Sequence, residues 1–257
     1  MSDGGQEGRV VWITGASSGI GRALALNLAK RGDTVAVSAR SVESLRDLAN
    51  EASHLSGAIH PYPLDITDAE NCARTVDQIS GKFGKIALAI MNAGTHHPVE
   101  AEDFAAGDLA KLIGINLLGT GNCLDPLLKR MIEARAGHIA IVASVAGYRG
   151  LPTSIYYGAS KAAQINLAEA LKFDLDRFGI KLQLINPGFV KTPLTDKNDF
   201  PMPFLMEVDE AAERMANGLE SSAFEITFPR RFAFLLKLFR LLPYSLYFPI
   251  VSRMTGK

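Results

Sequence analysis

Residues 10–21 read Val-Val-Trp-Ile-Thr-Gly-Ala-Ser-Ser-Gly-Ile-Gly, an apolar run ending in Thr14 and followed by glycines at 15, 19 and 21. A short, continuous apolar run rich in β-branched residues is the pattern of a strand covered on both faces. After it, Ile20, Ala23, Leu24 and Leu28 recur at helical spacing, so 19–31 is expected to be a helix. A strand, a glycine-rich turn and a helix bring backbone N–H groups and the positive helix end to one point. That point suits a pyrophosphate, with the Ser17 and Ser18 hydroxyls as further donors. A purely steric role for the three glycines stays open on this stretch alone. The turn lacks the Gly-Lys-Ser/Thr ending of a P-loop.

The same alternation runs outward along the chain. Strands are expected at 34–39, 58–64, 86–91, 138–143, 181–185 and 223–227. Helices are expected at 42–52, from an Asp68 N-cap, at 104–133 and at 156–178. Strict alternation with such strands implies one α/β domain: a Rossmann-type, doubly wound parallel sheet of about seven strands with helices on both faces. Right-handed crossovers put every strand's C-terminal end on one edge, where ligands bind. The 257 residues carry 27 basic and 27 acidic side chains, so overall charge gives no case for nucleic acid. Two cysteines, Cys72 and Cys123, are too few for a disulfide scaffold and suit a reducing compartment. The first residues, MSDGGQEGR, contain no apolar signal core, which with the cysteines leads to a cytoplasmic expectation.

Polar residues collect just after the strands. The second strand ends in Ala39-Arg40-Ser41, with no carboxylate to hydrogen-bond a ribose 2′-hydroxyl and one guanidinium able to pair with a 2′-phosphate. NADP is therefore favoured over NAD, the alternative being that Arg40 is an ordinary solvated arginine. Asn92-Ala93-Gly94 ends the fourth strand, Ser144 the fifth and Asn186-Pro187-Gly188 the sixth, while Asn116 sits inside the long helix. Tyr157 and Lys161 are four apart and share a helix face. A nearby ammonium is expected to lower the phenol pKa and fit it for general acid–base work, with Ser144 polarising a carbonyl oxygen. Tyr156, rotated by roughly 100° on the helix, is off that face. Each residue has a bland reading: Ser144 as a turn cap, Asn92 as a loop brace, Asn116 as a buried helix polar group. Their joint occurrence along one sheet edge favours the catalytic reading.

Together TGASSGIG at 14–21, NAG at 92–94, Asn116, Ser144, YGASK at 157–161 and NPGFVKT at 186–192 resemble the short-chain dehydrogenase/reductase family, over nearly all of residues 10–192. The resemblance implies NADP(H)-dependent interconversion of a carbonyl and a secondary alcohol. It makes Ser144, Tyr157 and Lys161 the catalytic triad, and gives Asn116 a part in a water-linked proton relay to Lys161. For the cofactor it implies Gly15, Ser17, Ser18, Gly19, Ile20, Gly21, Arg40, Asp65, Ile66, Asn92, Ala93, Gly94, Tyr157, Lys161, Pro187, Gly188, Val190 and Thr192. It implies a homodimer or homotetramer built through the helices of Asn116 and Tyr157; no metal is expected, because no third ligand accompanies His96 and His97. Ser17 stands where many NADP-using members carry a second basic residue, so NADP rests on Arg40. A catalytically silent NADP-binding regulator and a membrane-surface scaffold are the alternatives.

The resemblance further implies that the segment 191–206, apolar through Phe200, Pro201, Met202, Pro203, Phe204 and Met206, closes the substrate pocket as a flap, and that the substrate is hydrophobic, of lipid, steroid or retinoid type. His96 and His97, near the NAG turn, are expected in a solvent-exposed loop, the alternative being contact with substrate. Residues 1–228 form the expected oxidoreductase domain and 229–257 a basic, apolar extension. From Thr227 to Lys257 there are six basic residues and no acid, which leaves the preceding chain at −6. On a helix Arg230, Ala233, Lys237 and Arg240 form a stripe beside an apolar surface of Phe232, Leu235, Leu236, Leu238, Phe239, Leu241 and Leu242. Such a helix lies at an anionic membrane surface or packs on its own chain or a second subunit.

Overall fold

Four of the seven strands carry three or more apolar residues in succession, so both faces must be covered, and the chain does this by alternating strand and helix. The computed structural model describes residues 8–197 and 202–256. Its elements are β1 (Val10–Thr14), α1 (Gly19–Lys30), β2 (Thr34–Ser38), α2 (Val42–Glu51), β3 (Ala58–Pro61), α3 (Ala69–Phe83) and β4 (Leu88–Met91). There follow α4 (Ala106–Ile113), a π-helical turn (Gly114–Leu118), α5 (Gly119–Ala134), β5 (Gly137–Val142), α6 (Ile155–Arg177) and β6 (Ile180–Pro187). The chain ends in α7 (Val208–Glu220), β7 (Glu225–Phe228), α8 (Arg230–Arg240) and α9 (Tyr244–Thr255).

The sheet is wholly parallel in the order β3-β2-β1-β4-β5-β6-β7. The order reverses between β1 and β4, which opens a crevice at their C-terminal ends. One core layer gathers Val11, Ile13, Leu24, Leu28, Val35 and Met215 beneath α1, α2 and α7; the other gathers Trp12, Ile79, Leu127, Ile139 and Ile165 beneath α3, α5 and α6. Each such fully buried aliphatic side chain contributes about 1.5–3 kcal/mol. The buried Trp12 indole donates to Ser38 Oγ at 2.9 Å, so β1 and β2 are joined by a side chain as well as by their ladder.

Three local departures from the sequence reading have physical causes. The helix expected at 104–133 starts at Ala106 and widens into a π turn around Asn116, whose carbonyl accepts from Thr120 Oγ1 and Gln164 Nε2, both at 2.8 Å. The third strand stops at Pro61, which has no N–H for the ladder, and the sixth extends to Pro187 because β7 pairs along its whole end. The extension folds as two helices, with Pro243 preceding the first turn of α9. Its expected stripe also fails: Ala233 is buried with Phe232 and Leu236 in the second core layer, and Lys237 is engaged by Glu225. Cys72 and Cys123, 51 positions apart, meet as free buried thiols with sulfurs 3.7 Å apart.

Candidate active site

The crevice is a cleft of about 1170 Å³ at the C-terminal edge of the sheet. Its floor starts at the glycine turn. Gly15 has φ +69°, and a Cβ there would sit 2.6 Å from Ala93 Cα; a Cβ on Gly21 would sit 2.4 Å from both Gly15 O and Asn92 Nδ2. Only glycine lets β1, the turn and the β4 end approach so closely. Asn92 holds them there, donating through Nδ2 to Thr14 O at 3.1 Å and Gly15 O at 3.0 Å, while its N–H donates to Thr14 Oγ1. The brace reading of Asn92 is thus visible alongside its place on the cleft wall.

Ser18 precedes α1 in extended conformation, its side chain makes no capping bond, and no acid lies in the first turn. The first N–H groups of α1 are left for an anion at the cleft. Every residue expected to touch the dinucleotide lines this one cleft: Gly15, Ser17–Gly21, Arg40, Asp65, Ile66, Asn92–Gly94, Tyr157, Lys161, Pro187, Gly188, Val190 and Thr192. Volume, uncapped helix end and glycine cradle all fit a nicotinamide dinucleotide. Two hydrogen bonds from Thr67, outweighing burial, hold the Asp65 carboxyl below its ordinary pKa, and Arg40 reinforces this.

At the far end of the cleft α6 presents Tyr157 and Lys161 next to Ser144, which lies two residues beyond the end of β5. Lys161 is 3% exposed, and its Nζ donates to Val142 O at 2.9 Å and Gln164 Oε1 at 2.8 Å. It lies 5.6 Å from the Tyr157 ring centroid. Burial lowers the Lys161 pKa from 10.5 to about 7. Tyr157 keeps an edge in the cleft, yet burial still raises its phenol above the ordinary value, against a hydrogen bond with Ser144 that pulls it down. The sequence expectation of a phenol acidified by its lysine is therefore reversed: desolvation dominates both groups and favours the neutral phenol. Ser144 Oγ accepts from Ala146 N–H at 3.2 Å, so it also caps its turn.

Asn116 stands behind the cleft wall, fully buried. Its side chain accepts from Thr95 N–H at 2.8 Å and donates to Thr95 O and Ser160 Oγ, while its main-chain carbonyl accepts from Gln164 Nε2. Since Gln164 Oε1 accepts from Lys161, Asn116 and Lys161 are joined by a side chain of the protein itself. Gln164 was missed in the sequence; its one signal was a polar residue three positions after Lys161 on the same helix face. His96 corrects a second expectation: it is half-buried, its ring edge-on to Tyr157 with centroids 4.7 Å apart. His97 is exposed as expected. Tyr156 points away, accepting from Ala105 N–H at 2.6 Å and donating to Ala105 O at 3.1 Å. In the 191–206 segment, expected as a flap, Met206 is buried and paired with Val190, while Phe200 and Pro201 lie outside the described residues.

The sequence model of the family described as short chain dehydrogenase matches residues 9–201. An uncharacterized oxidoreductase of Myxococcus xanthus is 36% identical over 239 residues, 93% of this chain and 94% of that protein. The Homo sapiens protein named 17-beta-hydroxysteroid dehydrogenase 13 is 30% identical over 239 residues, 92% of this chain and 80% of that one. Among solved structures, the alcohol dehydrogenase of the archaeon Thermococcus sibiricus complexed with 5-hydroxy-NADP superposes with a TM-score of 0.78 at 25% identity, covering 86% of this chain and 96% of that one. With its parallel seven-stranded sheet and its cleft at the β1/β4 switch, the chain belongs to the short-chain dehydrogenase family and is an NAD(P)-dependent oxidoreductase of the carbonyl/alcohol type.

Proposed function

We propose that the protein reduces a carbonyl, or oxidises the matching secondary alcohol, on a hydrophobic substrate, with NADP(H) as cofactor. The observation that carries the reading is the convergence of Ser144, Tyr157 and Lys161 on one end of a dinucleotide-sized cleft. A bound nicotinamide supplies or accepts the hydride. Tyr157, held neutral by burial, gives its proton to the carbonyl oxygen in the reductive direction, and Ser144 hydrogen-bonds that same oxygen. Lys161 restores the proton from the protein side, and the Gln164 bridge to the Asn116 carbonyl fixes its Nζ. Gly15, Ser17, Ser18, Gly19, Ile20 and Gly21 hold the pyrophosphate, Asp65 and Ile66 the adenine, and Pro187, Gly188, Val190 and Thr192 the nicotinamide end.

NADP over NAD rests on Arg40, exposed at the end of β2 with no acid beside it in sequence, and the solved relative carrying a 5-hydroxy-NADP supports it. Arg40→Asp removes a charge-assisted bond worth about 1.5–3 kcal/mol, so kcat/KM for NADPH is expected to fall about 10- to 100-fold while that for NADH holds or rises. Unchanged NADPH preference in initial-rate assays removes Arg40 from the argument. A hydrophobic substrate is supported by the rings of Phe189 and Phe204 against Phe232, and by the relative named as a hydroxysteroid dehydrogenase. The direct test is a screen of NADPH oxidation across ketones, aldehydes and 3-keto lipids, repeated with NADH; no turnover of any would leave the silent-regulator reading. In this proposal 1–228 is the catalytic domain, 191–206 its flap and 229–257 an extension. A homo-oligomer through α5 and α6 is part of it, supported by Phe173 on α6, 79% exposed, and by exposed Leu118 in the π turn just before α5.

A further inference from the structure

The α8–α9 hairpin has two faces of different chemistry. Its inner face is engaged throughout. Arg149, five residues after Ser144, donates through Nη1 to the carbonyls of Phe239 at 2.5 Å and Leu242 at 2.7 Å, where α8 ends. The same guanidinium lies 3.8 Å from the Tyr247 ring centroid and 4.8 Å from that of Tyr244. Tyr247 in turn donates to Gly150 O, and Glu225 binds Lys237 while accepting from Tyr148 and Asn186. Burial alone would raise the Glu225 pKa; the bonds from Lys237, Tyr148 and Asn186 outweigh it and keep the carboxylate charged. The hairpin is thus fixed to the loop that follows Ser144, and its inner polar groups are consumed.

Among the described residues the side chains of the outer face make no bonds of that kind. Phe234, Leu238 and Leu241 recur at i, i+4 and i+7 on α8, with Phe234 71% and Leu241 80% exposed. On α9 Phe248 and Met254 are exposed, and Phe248 stacks on the Arg149-bound Tyr244 with centroids 5.6 Å apart. Arg230, Arg231, Arg240 and Arg253 are exposed on the same two helices, and no acid occurs anywhere from Thr227 to Lys257. An apolar surface with arginines and no carboxylates is complementary to a layer that is apolar within and anionic at its surface. A second copy of this chain apposing the same face would bring like charge to like charge. Among the described residues no helix is long and apolar enough to cross a membrane, so the fitting geometry is a hairpin lying in the interface.

We propose that the outer face of the α8–α9 hairpin docks this protein on an anionic lipid bilayer. The apolar side chains enter the acyl boundary and the arginines sit among the headgroups. Because the hairpin is bonded to the Ser144 loop and Phe232 touches Phe204 of the 191–206 segment, docking holds the catalytic domain at the bilayer surface.

The test uses the full chain, sedimented with vesicles of phosphatidylcholine alone and of phosphatidylcholine mixed with phosphatidylserine. Binding to the mixed vesicles is expected to exceed that to phosphatidylcholine by about 10-fold or more and to weaken in high salt. Two double variants at exposed positions, Phe234→Ser with Leu241→Ser and Arg230→Glu with Arg231→Glu, are each expected to lower it by about 10-fold. Circular dichroism and turnover of a water-soluble ketone verify that both remain folded. Equal sedimentation of wild type and both variants, or no vesicle binding by the wild type, overturns the proposal. So does a vesicle-free dimer that the Phe234/Leu241 variant converts to monomer, since that assigns the face to a second copy. Loss of the oxidoreductase reading would instead show as absent turnover with sedimentation unchanged.

Discussion

Tyr157→Phe is expected to lower kcat by about 10²–10⁴-fold, the range supplied by a positioned general acid, while NADPH still binds with near wild-type affinity. The substitution removes one oxygen at the end of the cleft, leaving the glycine turn, the α1 N-terminus and Arg40 intact. Saturating-substrate kinetics with a fluorescence titration of NADPH separate the two effects. Tyr156→Phe is the matched control. It deletes the bonds between the Tyr156 hydroxyl and the Ala105 backbone, so stability should drop by about 1 kcal/mol with kcat preserved. If Tyr157→Phe retains substantial turnover, or the two variants behave alike, Tyr157 is not the acid.

Much of this was legible in the sequence because it is local. The 10–14 run, the three glycines and the alternating periods specify strand, turn and helix within a few residues of each other, and parallel crossovers then place all the strand ends together. The cofactor side of the cleft inherits that legibility. The catalytic end does not, because its features depend on contacts across tens of residues. The π turn at Asn116 exists where Gln164 reaches its carbonyl from 48 positions away, and nothing near Asn116 records that. His96 lies in a loop, as its sequence context suggests, but its partial burial depends on the packing of α6, which brings its ring to Tyr157. In the extension, composition correctly shows an apolar, basic segment. Which residues face inward is decided by Arg149 and Glu225, both upstream of the segment.

Lys161→Met should remove a pH dependence of stability as well as activity. In the folded protein burial holds the Lys161 pKa at about 7, against an ordinary value of 10.5 in the unfolded chain. Below pH about 7 the amine is charged in both states, and the native protein bears the full cost of burying an ammonium. Between about 7 and about 10.5 the unfolded chain binds more protons than the folded one, so the stability of the cofactor-free enzyme rises with pH, by up to about 1.4 kcal/mol per unit. Above that range the contribution is constant. Methionine keeps a similar apolar stem and carries no charge, so this rise disappears. It also leaves Val142 O and Gln164 Oε1 without their donor, at about 1–3 kcal/mol each, but that penalty does not vary with pH. Other titrating groups are common to both proteins, so the difference in urea unfolding free energy between wild type and variant, followed from about pH 6 to about pH 10, isolates Lys161. Turnover should fall by about 10²-fold or more because the proton route behind Tyr157 ends at a thioether. Parallel pH–stability curves with turnover lost would place Lys161 in catalysis but refute its burial as a neutral amine. Retained turnover would refute its role in proton transfer, whatever the curves show.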